Sequence, residues 1–150
     1  MPTSIDYSEL TRYFEALDED TGKRALSTGL RAGGIAIKSR VIEQLSGITL
    51  NRQTGQLVRS VFVDRPVDKG RFIELLFGSS GVPYAAIHEF GGTIRAKNAE
   101  YLRFMVDGQW VTTKEVTIPE RAPFRKGLKR AEQEVVDEIQ LRLIKEYKDA

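Results

Sequence analysis

The hydrophobic period changes twice along this chain, and that change constrains the fold more than any single motif. From Tyr7 to Ser46 apolar residues return every three or four positions, as one face of a helix requires. From about Ser60 to Ile118 they gather instead in short β-branched and aromatic runs, and from Pro123 to Tyr147 the helical period returns. Helices, then strands, then a helix is the order of an α+β protein. The expected architecture is N-terminal helices, a roughly four-stranded, mainly antiparallel sheet, and a long C-terminal helix packed on it. A chain of 150 residues suits a single domain, 1–150, and no repeat, low-complexity tract or linker divides it.

The first helix is expected from Tyr7 to Leu17. Asp6 with Glu9 fits a capping pair, and Ile5 with Leu10 fits a hydrophobic staple. A longer helix should run from Thr21 to Ser46 with Leu26, Leu30, Ile37, Val41 and Leu45 on one stripe, stopped by Gly47. It carries Gly29, Gly33 and Gly34 inside it. Each glycine costs about 1 kcal/mol relative to alanine, so close backbone packing must compensate; contact with the sheet is the preferred reading, and a break near Gly33-Gly34 is the alternative. "SGITLNRQTGQLVRS" is polar and turn-rich and reads as a long loop with little regular structure.

Two hairpins are expected next. "RSVFVDRPV" and "GRFIELLFG" flank "VDKG", and "EYLRFMV" and "QWVTTKEVTI" flank Asp107-Gly108, a dipeptide suited to a two-residue turn with positive φ at both positions. Val111 and Val116 break the period of two, which predicts a bulge. Trp110 reads either as core or as an interface anchor, core being preferred. Pro119 and Pro123 bracket an extended segment. From Pro123 the seam Leu128, Ala131, Val135, Ile139, Leu143 and Tyr147 predicts a helix, supported by the i,i+4 pair Glu138–Arg142.

Composition excludes several function classes. No apolar run approaches the roughly 20 residues of a membrane helix. The opening "MPTSIDYSEL" has neither the basic start nor the apolar core of a signal peptide, which predicts synthesis in the cytoplasm. With no cysteine there is no thiolate zinc site. A net charge of +2 from 23 basic and 21 acidic residues gives no clustered footprint for nucleic acid.

The stretch that looks most chemical is "YAAIHEFGGTIRAK", which holds the sole histidine, His88. A zincin pair would need a second histidine four residues on, where Gly92 stands. A serine hydrolase would need an orienting acid and a nucleophile; Ser79 and Ser80 are at hand, but without a strand–elbow–helix context. Glu89, read as part of a strand, would point away from His88. Neither "GSSG" nor "FGGT" matches a phosphate-binding loop, and Gly91-Gly92 reads as a sharp reversal. No catalytic residue, cofactor or metal is therefore expected.

"YAAIHEFGGTIRAK" followed by "YLRFMVDGQWVTTKEVTIPERAPF" resembles the phage virion morphogenesis family, the Mu-like tail completion proteins. "TGQLVRSV", Thr54 to Val61, is similar to a segment of the related tail-component family of lambda-like phages. The likeness covers roughly Thr54 to Leu128, and the chain departs from it by placing Ala122 between Arg121 and Pro123. The resemblance implies a virion structural protein of the neck, acting in tail completion or head–tail joining. It implies a homo-oligomeric ring, commonly of six copies, between the tail tube and the head connector or tail terminator, made in the host cytoplasm and resident in the virion. Arg52, Gln53, Gln56, His88, Glu89 and Arg95 are the expected assembly contacts. Two rival classes remain. One is a small hydrolase using His88 with Glu89 or Ser80. The other is a nucleic-acid-binding module using Arg24, Arg31, Lys38 and Arg40, or Arg121, Arg125 and Lys129.

Overall fold

The computed structural model describes residues 7–50 and 55–150. Its order is helices, strands and a closing helix, so the chain is a mixed helix-and-sheet protein with small antiparallel sheets and a long C-terminal helix packed on them. Helix α1 spans Ser8–Glu15. The expected cap and staple at Asp6 and Ile5 lie outside the described residues. Helix α2 runs unbroken over Glu19–Glu43, with Asp18 as its N-cap, accepting from the Thr21 amide at 3.0 Å. It closes in one wide turn, Gln44–Ile48, in which Gly47 takes φ 130° and ends the helix.

The predicted structureless loop is partly ordered. The carbonyl of buried Gln44 accepts from the amides of Thr49 and Leu50, each at 3.0 Å, and its side-chain oxygen accepts from the Thr49 hydroxyl at 2.6 Å. Leu50 is buried, and after Gly55 the chain forms a short helix, α3, Gln56–Arg59. The polarity of the segment hid these contacts, because they are made by backbone groups and one amide side chain and not by an apolar stripe.

The closing helix, α5, spans Pro123–Asp149 and lies antiparallel along α2. A Cβ on Gly29 would stand 2.5 Å from the Ile139 Cα, one on Gly33 3.0 Å from the Val135 Cα, and one on Gly127 2.7 Å from the Val41 Cα. The paired positions rise on one helix as they fall on the other, and at all three the backbones touch where no side chain fits. Gly29 and Gly33 thus face a helix and not the sheet. Only Gly34 meets a strand residue, with Val63 at 2.8 Å from its Cβ position. The predicted seam holds from Leu128 to Leu143, with Ala131 and Leu143 fully buried, while Tyr147 is exposed and rests edge-on against Tyr13. Ile37, Val41, Leu45, Leu50, Val61 and Ala131 form the core, lined by Leu75, Phe77 and Leu128.

The strands form two separate antiparallel hairpins. In the first, β1 (Val61–Val63) pairs with β4 (Phe77–Ser79) and β2 (Val67–Asp68) with β3 (Ile73–Glu74). Pro66, which has no N–H to pair, interrupts the outgoing strand. In the second, β5 (Gly92–Arg95) pairs with β8 (Glu115–Ile118) and β6 (Leu102–Val106) with β7 (Gln109–Thr113). Asp107 and Gly108 take φ 49° and 78° at its tip, as the dipeptide predicts. The predicted irregularity falls at Lys114, where the Thr113 hydroxyl bonds the Glu115 carbonyl at 2.8 Å. Among the described residues, only the first hairpin contributes to the helical core, through Val61, Leu75 and Phe77.

Candidate assembly site: a clamped β arm

Residues 84–92 are the root of the second hairpin. Ala85–Phe90 form a short helix, α4, so His88 and Glu89 do not sit on a strand as expected. The Gly91 that follows has φ 70°, and a Cβ there would lie 2.7 Å from the Glu120 amide nitrogen. Glycine is required twice over, by conformation and by contact. This close approach lets the arm leave and return at one point.

Glu89 fixes the returning chain. It is 7% exposed, and its carboxylate accepts from the amides of Phe124 at 2.9 Å and Arg125 at 3.1 Å and from Arg125 Nε at 2.8 Å. It therefore caps the first turn of α5, where amides lack partners and the helix dipole favours an anion. Arg125 also reaches the Glu89 carbonyl at 2.7 Å and the Glu120 carboxylate at 2.8 Å. The His88 carbonyl accepts from the amides of Arg121 at 3.0 Å and Ala122 at 3.2 Å. Ala122, the residue set between Arg121 and Pro123, has φ 49° and turns the chain into α5. Two consecutive residues of α4 thus grip both the chain returning from the arm and the closing helix.

The His88 ring lies edge-on to Tyr84, with centroids 6.0 Å apart, and its Nδ1 is buried without a hydrogen-bond partner. Burial and, secondarily, the nearby Arg121 charge hold its pKa below the ordinary value of 6.5. Among the described residues no acid orients the ring through Nδ1, as a serine triad demands. The Ser79 hydroxyl is engaged with Ser60 at 2.6 Å. Among the described residues no group of His, Asp and Glu side chains could hold a metal ion.

Of the other expected contacts, Gln56 is exposed and lies 3.4 Å from the Tyr84 hydroxyl, which brings it beside α4. Arg95 is exposed on the arm, paired across the strands with Glu115 at 2.9 Å. Arg52 and Gln53 lie outside the described residues. Glu89 is turned inward, so it shapes the site without facing a partner. Neither proposed basic face is uninterrupted. Arg40 pairs with Glu43 and Glu134, and Arg125 with Glu89 and Glu120.

What sequence reasoning missed is the surface of the arm. No residue of β5, β6, β7 or β8 is buried. Trp110 is 59% exposed and is not core; the Arg103 guanidinium lies 4.6 Å over its ring, and its strand partner Met105 is equally open to solvent. Phe104 pairs with Val111 one residue further along the ladder, on the opposite face. Apolar residues therefore stand on both faces of the tip, the Phe104–Val111 face half-buried and the Met105–Trp110 face open, with Val106 exposed at its end. That pattern was readable in "LRFMV" and "QWV". Comparison of the chain with protein-family models, with curated proteins and with solved structures finds no match.

Proposed function

We propose that the chain is a structural protein of a phage virion, acting in the neck in tail completion or head–tail joining. In this reading it assembles as a homo-oligomeric ring between the tail tube and the head connector or tail terminator. The observation that carries it is the arm of residues 92–118, which exposes apolar side chains on both faces yet is held at its root by a buried carboxylate. A lone two-stranded hairpin is marginal in water, so such an arm gains stability by docking. Fixing its root beforehand lowers the entropy that docking costs. The motif series from "TGQLVRSV" to "IPERAPF" supports the phage assignment, and the lack of an oriented histidine favours assembly over hydrolysis.

The test is loss of the gene in the phage or prophage that carries it. Electron microscopy of the lysate should show filled heads and tails that remain separate, and the intact protein should be found in joined particles. Normal infectious particles without the protein would refute the function.

A further inference from the structure

We propose that the arm of one copy docks into an apolar groove on the body of the next copy, making a head-to-tail contact. This rests on the assembly reading for its place in a virion but not for its geometry. The groove measures about 380 Å³ and lies where α2, α5 and the first hairpin meet, lined by Leu30, Ile73, Leu75, Phe77, Val135 and Ile139. That volume falls among clefts that hold ligands, roughly 300–1,000 Å³.

Its chemistry matches the arm tip in two respects. The groove is apolar, as are Met105, Val106 and Trp110, all exposed at the tip. Its one charged lining residue, Glu132, is exposed and has no ion-pair partner among the described residues. Arg103, which flanks the tip, touches the Trp110 ring and likewise has no carboxylate partner among them. A lone anion in an apolar groove and a lone cation beside an apolar tip complete each other on docking.

Arm and groove are different patches of one surface, so the contact is heterologous, and repeating it builds a ring when the rotation closes. Gly91 and Gly92, which follow α4, hold the point where the arm leaves the body.

The chain has no cysteine, so engineered thiols are the only ones present. Gln109→Cys marks the exposed tip and Tyr7→Cys the groove rim. The two purified single variants, mixed and treated with a short bismaleimide, should yield a mixed dimer joined between positions 109 and 7. The double variant should yield a ladder longer than two copies. Adding Arg103→Glu should abolish the link, and adding Glu132→Arg to the groove-bearing partner should restore it. Each variant must keep the wild-type thermal midpoint, which shows that it folds. Three results would overturn the proposal: a link only within single chains, no link between folded variants, or charge reversal without effect. Because purified protein is used, the docking result is independent of the particle phenotype. A ladder with normal particles lacking the protein would leave the contact standing and remove the neck.

Discussion

Removing the carboxylate of Glu89 should loosen the closing helix and the root of the arm together. In Glu89→Ala the amides of Phe124 and Arg125, now 2.9 and 3.1 Å from that carboxylate, lose their acceptor at a helix start. Leaving a buried donor unsatisfied costs about 1–3 kcal/mol. Loss of a helix cap costs about 0.5–2 kcal/mol. These describe overlapping effects and do not add, so about 3 kcal/mol is the working figure for the variant. For a domain of this size each kcal/mol shifts the melting midpoint by about 3 °C, giving a fall of about 10 °C. Glu89→Gln keeps one acceptor oxygen but no charge, so its midpoint should lie between Glu89→Ala and wild type. Thermal unfolding followed by circular dichroism measures both. Amide exchange at Arg121 and Ala122, which bond the neighbouring His88 carbonyl, should quicken in the alanine variant. A midpoint within about 2 °C of wild type for Glu89→Ala would show that the cap is not what holds α5 to the arm.

Gly29→Ala gains about 1 kcal/mol of helix propensity but puts a methyl 2.5 Å from the Ile139 backbone, where overpacking costs about 1–3 kcal/mol or more. Calorimetry should show net destabilisation, whereas Thr28→Ala, on the exposed side of α2, should be neutral or slightly stabilising. Ile139→Ala, on the other side of that contact, should cost about 2 kcal/mol, and an unchanged midpoint would show that the seam does no packing. Since His88 has a folded pKa below 6.5, the unfolded chain takes up its proton first as pH falls. Stability should therefore be full above pH 6.5 and decline as pH drops through the folded value, and His88→Gln should flatten that decline in a series of melts. Trp110→Ser should leave the free protein's stability within about 0.5 kcal/mol, the side chain being exposed, while abolishing self-association in sedimentation.

The elements whose signals are local were legible in the sequence alone. Helical spacing foretold α2 and α5 nearly to their ends, and Asp107-Gly108 foretold the hairpin tip, because period and turn conformation depend on neighbours a few residues away. The same spacing could not say what Gly29 and Gly33 face, since an interior glycine records a close approach without naming the chain that makes it; only the antiparallel fit of α5 names it. Likewise "HEFGG" announces a carboxylate beside a turn, but its role as a cap for a helix that starts 34 residues beyond Glu89, at Pro123, exists only once the arm has left and returned. Trp110 shows the converse. An aromatic in a strand is core by habit of its solvation, and it lies open here because, among the described residues, no helix or sheet covers its face of the second hairpin.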